Sequence, residues 1–241
     1  MGKIENKHIE IIKFFEENRN EANVKKYAKY FKEGFDSYGV DSNIYMDQAE
    51  KWRNDWGNDW SNSDLLELGD HLVRQRKYEE KSIALRIMSW LEKDYNKEIF
   101  NHIGKWFEKD IDNWGHTDAS CGLVLVHFVL DNIIELNDFN IWIESSSKWK
   151  RRAVPVTLYE AFKKGYNYKL ILPFIEPLME DPEEDVQKGL GTLLREIWKK
   201  HPEDAEIFLM KWKNTCGRKI IHYATEKMDK EYRKKFKKEI K

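Results

Sequence analysis

Within Asn113-Trp-Gly-His-Thr-Asp118 an indole and a carboxylate stand four residues apart, between two strongly helical stretches. Four residues is about one helical turn, so a helix that begins near Trp114 points both side chains the same way. An anionic carboxylate beside an aromatic face suits a cationic, electron-poor substrate: the ring attracts the cation, and the carboxylate stabilises positive charge that develops as a bond breaks. A plainer reading of the same residues makes Thr117 or Asp118 the N-cap of the apolar helix over residues 123–130. His116, Asp118 and Cys121 offer metal-ligand atoms, but their spacing matches no standard site and no second cluster completes it, so no metal is expected. The chain carries no P-loop, GxGxxG, HExxH or nucleophile-elbow motif.

The elements that must position Trp114 and Asp118 read as helices throughout. Apolar residues recur at helical spacing over residues 4–15, 23–35 (Val24, Tyr27, Phe31, Phe35), 45–56, 65–73 (with Ser63 as cap), 78–91, 97–111 and 119–130. Shorter or interrupted helices are expected over 138–143, 147–162 and 168–179. Pro155 should kink the second of these or split it near Ala153, and Pro173 and Pro177 should break the third into pieces. Asp181-Pro-Glu-Glu184 reads as a helix start, and the helix runs to about Lys200. Pro202 opens another, to Trp212, and helices over 217–228 and 230–240 close the chain. Gly57-Asn-Asp59 reads as a break, and no run reads as a strand. The stretches beginning near Lys81, Thr117, Lys150, Gln187 and Arg218 share a polar start followed by an apolar helix, at spacings of about 30–36 residues, the size of a helix-pair repeat. The expected fold is therefore all-α: an α-solenoid of helical repeats, curved around a concave groove, forming a single domain over residues 1–241. An irregular helical bundle is the competing architecture.

Composition bounds what such a molecule does. The 241 residues hold ten Trp and 14% aromatics, which excludes global disorder. Two cysteines without a CxxC pair argue against a disulfide scaffold or structural zinc, and suit a reducing cytoplasm. The first residues lack an apolar signal core, and no stretch is long and apolar enough to span a membrane. The net charge of −1 is unevenly spread: residues 1–145 hold 19 Lys+Arg against 28 Asp+Glu, and residues 146–241 hold 23 against 15. A basic half suits a polyanion on one face; the alternative is charge that merely segregates on solvated helices.

Five motifs, in order and at compatible spacing, resemble those of the AlkD-like DNA alkylation-repair glycosylases, which are built from HEAT-like repeats. The resemblance covers nearly the whole chain. Tyr27-Ala-Lys-Tyr-Phe-Lys-Glu-Gly-Phe-Asp-Ser-Tyr-Gly-Val40 is similar to the family's N-terminal helix and glycine turn, and Tyr78-Glu-Glu-Lys-Ser-Ile-Ala-Leu-Arg-Ile-Met88 to its next marked helix. Trp114-Gly-His-Thr-Asp118 is similar to the Trp-x-x-x-Asp active-site step, Trp149-Lys-Arg-Arg152-Ala to the Trp-x-x-Arg-Ala helix, and Gln187-Lys-Gly-Leu-Gly-Thr-Leu-Leu-Arg195-Glu to the Gln-Lys-x-x-Gly-x-x-Leu-Arg-Glu helix.

The resemblance implies an enzyme that removes N3- or N7-alkylated purines from duplex DNA held in the concave groove. It implies no metal, no organic cofactor and no deep base pocket. It implies that Asp118 stabilises the sugar cation and directs a water, that Trp114 lies against the sugar or lesion, and that Arg152 holds a flanking phosphate. Lys148, Lys150, Arg151, Lys188, Arg195 and Arg218 are the expected DNA contacts. The protein is expected to be a cytoplasmic monomer acting at the nucleoid of a bacterial-type cell. One departure matters: the family's second active-site Trp falls at Thr192, and Trp198 faces another side of the helix. This leaves a second reading, a non-catalytic helical-repeat scaffold that binds DNA or protein. Outside these motifs, Trp52, Trp56 and Trp60 read as inter-helix packing, Trp212 as core rather than a phosphate-side ring between Lys211 and Lys213, and the basic run over residues 233–238 as a solvated amphipathic helix or a weak DNA contact.

Overall fold

The computed structural model describes residues 2–56 and 59–239. In chain order its helices are α1 (Lys3–Glu17), α2 (Glu21–Ala28), α3 (Ser42–Trp56), α4 (Asn62–Val73), α5 (Tyr78–Trp90), α6 (Lys97–Lys109), α7 (Trp114–Ser120), α8 (Val126–Leu130), α9 (Asn140–Ile143), α10 (Lys148–Lys163), α11 (Tyr168–Phe174), α12 (Glu184–Lys200), α13 (Pro202–Trp212) and α14 (Arg218–Ala224). A π turn, Cys121–Leu125, joins α7 to α8 without a break. No strand occurs among the described residues, and none of their helices is long and apolar enough to cross a membrane.

Five helices form one layer: α5 packs on α7, α7 on α10, α10 on α12 and α12 on α14. They begin at residues 78, 114, 148, 184 and 218, a repeat of 34–36 residues, close to the interval that the sequence pattern predicts. Intervening helices cover this layer, with α4 against α5 and α13 against α12. The architecture is the expected α-solenoid of helical repeats. The longest member, α12, shows what holds the layer together. Val186, Leu190, Leu193, Leu194 and Ile197 recur on one stripe and are buried, each contributing roughly 2 kcal/mol by leaving water. Gly191 of that helix lets α14 approach: a Cβ there would lie 2.5 Å from the Tyr223 Cβ and 2.8 Å from the Ile220 carbonyl oxygen.

Several boundaries differ from the sequence expectation, each for a local reason. The helix expected over 23–35 ends at Ala28, and the chain turns through Gly34 (φ 104°) toward Gly39 (φ 78°), backbone that glycine adopts without strain. The α4 cap is Ser61 rather than Ser63, because Ser61 and Asp64 form a reciprocal capping box. The helix of residues 148–163 is not split at Ala153; Pro155 is buried within it, its ring facing Gly189 of α12, where no side chain opposes it. Asp181-Pro182 precedes α12 by a turn instead of opening it, while Pro202 does open α13. The last expected helix is a short 3-10 turn, Tyr232–Phe236. The break expected at Gly57-Asn58 and the end of the chain at Ile240 lie outside the described residues.

Candidate active site

The α7 helix starts one residue after Asn113, and Asn113 is its cap: its side-chain oxygen accepts from the His116 N–H at 2.9 Å. Neither Thr117 nor Asp118 caps anything. The Thr117 hydroxyl donates back to the Asn113 carbonyl at 2.9 Å, because both residues fall inside the helix that begins earlier than the apolar run suggests. The helix then divides cleanly. His116, Thr117 and Ser120 are buried, whereas Trp114 remains 39% exposed and the Asp118 side chain 34% exposed. The indole and the carboxylate thus share the open face, one turn apart, as their spacing predicts.

The buried face locks the turn. The Asn113 amide donates to His116 Nδ1 at 2.8 Å, and Nε2 lies 2.9 Å from the Tyr78 carbonyl, which assigns the imidazole proton to Nε2. Burial pushes the His116 pKa down to about 4, against the opposing bond to Tyr78. The ring stacks on Tyr78 with centroids 4.2 Å apart. Gly115 keeps the turn close to this assembly: a Cβ there would sit 2.7 Å from the Tyr78 hydroxyl and 3.3 Å from the Phe31 ring.

Trp114 is anchored by a segment distant in sequence. Its Nε1–H donates to the Tyr30 carbonyl at 3.0 Å, and its ring stacks on Phe31 with centroids 5.4 Å apart, inclined by 16°. Phe31 in turn stacks on Phe35 at 4.6 Å and meets the Tyr78 ring edge-on at 5.4 Å. No pattern local to residues 113–118 signals this stack; only the expected apolar stripe of Tyr27, Phe31 and Phe35 hinted that these rings face one another.

Asp118 is held from α10. Arg152 Nε donates to Oδ1 at 2.9 Å and Nη2 to Oδ2 at 2.8 Å, a two-bond fork, while Nη1 donates to the Asp185 carbonyl. Burial disfavours the Arg152 charge, and the Asp118 carboxylate outweighs it, so the guanidinium pKa is raised. The arrangement is an oriented, partly solvent-facing carboxylate beside an exposed indole, backed by a buried cation. It has the parts needed to stabilise a developing cation or to position a water.

The other expected DNA contacts sit among acids. Lys148 bridges Glu33 (3.0 Å) and Asp185 (3.2 Å), Lys188 meets Asp185 at 2.9 Å, and Arg195 meets Glu226 at 2.6 Å. Lys150 is buried against Glu108 at 2.9 Å, and Arg151, partly buried, meets the buried Asp181 at 2.6 Å. Arg218 is exposed and donates to the Lys213 carbonyl. Lys148 and Lys188 thus gather with Arg152 around Asp185; Lys150, Arg151, Arg195 and Arg218 do not join them. Thr192 is half-buried on the same helix as Lys188, and the Trp198 indole donates to Glu206 at 2.9 Å, toward α13. Trp212 packs on the core, and Trp52, Trp56 and Trp60 are buried in a stacked series.

His116, Asp118 and Cys121 do not converge as ligands: Cys121 is buried, its thiol donates toward the Ala153 carbonyl, and burial pushes its pKa up. Among the described residues one group does bring ligand atoms within 4.8 Å of one another, Glu92, His127 and Asp131. It includes no residue of the Trp114–Asp118 face, and its His127–Glu92 contact of 3.1 Å is an ordinary surface pair.

A family model described as "DNA alkylation repair enzyme" matches residues 11–228. Three solved structures are similar in fold. One is described as a "Predicted DNA alkylation repair enzyme" from Enterococcus faecalis, with a TM-score of 0.76, 16% identity and coverage of 88% of this chain and 98% of that one. AlkD2 from Streptococcus mutans has a TM-score of 0.59 and 22% identity, over 76% of this chain and 90% of its own. The protein smu.31 from Streptococcus mutans UA159 has a TM-score of 0.59 and 23% identity, over 77% and 93%. A search of curated proteins finds no match.

Proposed function

From the premise that this chain belongs to the DNA alkylation repair enzyme family, we propose that it is a monofunctional DNA glycosylase that excises N3- and N7-alkylated purines from duplex DNA. The observation that carries the reading is the Asp118 carboxylate, clamped by Arg152, half-open to solvent and one turn from the exposed Trp114. Alkylation at N3 or N7 makes the purine cationic and a good leaving group. The electrons of the C1′–N9 bond (or its equivalent) depart with the base, leaving an oxocarbenium-like deoxyribose. Asp118 stabilises that charge and orients a water whose oxygen bonds to C1′. The water's proton passes to Asp118 or to solvent, and the products are the free base and an abasic site. Trp114 lies against the cationic base or sugar, contributing about 0.5–2 kcal/mol through its face.

Arg152 takes a different role from the phosphate contact that the resemblance implies. With Nε and Nη2 on Asp118 and Nη1 on the Asp185 carbonyl, it aligns the carboxylate. Lys148, Lys188, Arg195 and Arg218 are the cations exposed enough to meet phosphates, the first three by exchanging carboxylate partners. Lys150 and Arg151 serve packing. The enzyme needs no metal or organic cofactor and acts as a cytoplasmic, nucleoid-associated monomer.

The test is purine release from DNA treated with a methylating agent, comparing the unmodified chain with Asp118→Asn. Equal release above the heat-only background by both proteins ends the catalytic assignment. Thr192 and the acid-paired cations favour a second reading, a non-catalytic DNA-binding scaffold, which predicts salt-sensitive affinity for DNA without any base release.

A further inference from the structure

Between the N-terminal loop and α5 the structure holds a cavity of about 430 Å³, within the range of roughly 300–1,000 Å³ typical of small-molecule sites. Its walls are rings set at an angle to one another. Phe31 lies near-parallel to both Phe35 and Trp114, each inclined to it by 16°. Tyr78 stands across them, its plane turned 67° from Phe31 and 54° from Phe35, and Tyr27 and Tyr45 also line the space. Parallel walls would suit a flat ring; walls that meet in a corner suit a compact, rounded group that touches several rings at once. We propose that this cavity is an aromatic cage for a small quaternary ammonium compound, a trimethylammonium head with an anionic tail of the phosphocholine type. The proposal is independent of base excision and gives the N-terminal half a ligand of its own.

Three observations point to that ligand. First, aromatic faces attract a cation, and they do so best where water is excluded. Second, Glu79 is the one charged side chain among the described lining residues. Its carboxylate is fixed by the Ser37 hydroxyl (2.6 Å) and by the backbone N–H groups of Tyr38 (3.0 Å), Gly39 (2.8 Å) and Val40 (3.2 Å). With four donors already on it, Glu79 acts on a ligand through its charge more than as an acceptor. That favours a cation without N–H groups, which loses no hydrogen bond on leaving water. The potential in the cavity is negative as well: burial raises the Tyr78 pKa, and the charges of Glu79 and Asp118 push the same way. Third, positive charge stands at the mouth, where Tyr27 and Tyr30 are exposed. Lys26 Nζ lies 5.1 Å from the Tyr27 ring and Lys29 Nζ 5.1 Å from the Tyr30 ring. An anion in the wall and cations outside match a zwitterion that enters head first and leaves its anionic tail at the rim.

The experiment is calorimetric titration of the full chain, without DNA, with phosphocholine and, separately, with dimethylbutyl phosphate. The second compound keeps the shape and the phosphate but has carbon in place of the quaternary nitrogen. Phosphocholine is expected to bind about tenfold more tightly, the scale of a desolvated cation on ring faces. Choline, which lacks the phosphate, should bind severalfold more weakly than phosphocholine. Ser42→Trp, at an exposed position that lines the cavity, fills the space and should abolish binding; Phe35→Ala, which removes one wall, should weaken it severalfold. Equal affinity for phosphocholine and its carbon isostere, or unchanged binding by a folded Ser42→Trp protein, overturns the proposal. Capture by phosphatidylcholine vesicles without binding of free phosphocholine overturns it too, in favour of a membrane surface. With no DNA present, the result is the same whether or not the chain releases methylated purines, so this proposal and the excision reading fail separately.

Discussion

Arg152 lies along Asp118 with two parallel hydrogen bonds, Nε to Oδ1 at 2.9 Å and Nη2 to Oδ2 at 2.8 Å, so both carboxylate oxygens are aligned by a residue 34 positions later in the chain. A carboxylate held this way cannot rotate freely, and the cation behind it is itself shielded from water. Asp118→Asn removes the charge and leaves the shape, and purine release should fall by at least about 100-fold, the scale seen when one stabilising group is removed from a reaction centre. Arg152→Lys keeps the charge but cannot make the fork. It should lower release by roughly tenfold with little change in DNA affinity, measured by single-turnover kinetics beside a binding titration.

Trp114 makes two separable contacts, the stack on Phe31 and the bond from Nε1 to the Tyr30 carbonyl. Trp114→Phe preserves the first and loses the second. Release should drop severalfold for Phe and by about 10- to 30-fold for Ala, the latter being the rate equivalent of up to ~2 kcal/mol. Equal losses for Phe and Ala would mean that the Tyr30 anchor, rather than the ring face, is what the site needs.

Arg151, next in sequence to Arg152, has the opposite duty. It forks onto Asp181 with Nε–Oδ2 at 2.6 Å and Nη2–Oδ1 at 3.3 Å, the two side chains being 13% and 4% exposed. Asp181→Asn should cost about 2 kcal/mol of stability, because it leaves a largely shielded guanidinium without its counter-charge, while release per folded molecule is unchanged. Urea denaturation followed by single-turnover assay separates the two effects.

His116 makes stability pH-dependent. Its folded pKa, pushed down to about 4 by burial, lies below the value of about 6.5 in an unfolded chain. The unfolded chain therefore takes up a proton that the folded protein refuses. The contribution is fully present above about pH 6.5 and is lost as pH falls through about 4, amounting to roughly 3 kcal/mol in all. Comparing denaturation midpoints at pH 7 and pH 4 for the unmodified chain and His116→Gln should show the smaller decline in the variant.

Thr192 occupies the position where the resemblance places a second indole. Thr192→Trp should raise release by a fewfold if an aromatic partner is what the site lacks, read as single-turnover rate on methylated DNA; a drop in rate would show that this chain has built its site around the N-terminal rings instead.

The sequence made the repeats legible because periodicity and punctuation are local. Pro202 opens α13 where expected, the stripe over residues 78–91 is α5, and Trp114 and Asp118 share a face because 3.6-residue periodicity requires it. What it did not reveal depends on partners far along the chain. Lys148 meets Glu33, 115 residues away, and Lys150 meets Glu108, 42 residues away. Read alone, either lysine looks like a phosphate contact. The Asn113 cap was hidden for a nearer reason: three capping residue types stand within six positions, and only the helix phase decides among them. The apolar run begins later than the helix and so points to a later phase.

The π turn Cys121–Leu125 sets the angular relation between the two halves of that helical rod. Each residue advances the side-chain direction by about 100°, and a widened turn absorbs one residue without moving the axis. The face carrying Trp114 and Asp118 and the face burying Val126, Phe128 and Val129 are therefore registered by the length of residues 121–125, and not only by their identity. Inserting one further residue there would swing the carboxylate by about a quarter-turn, away from Arg152, with every side chain of the site still encoded.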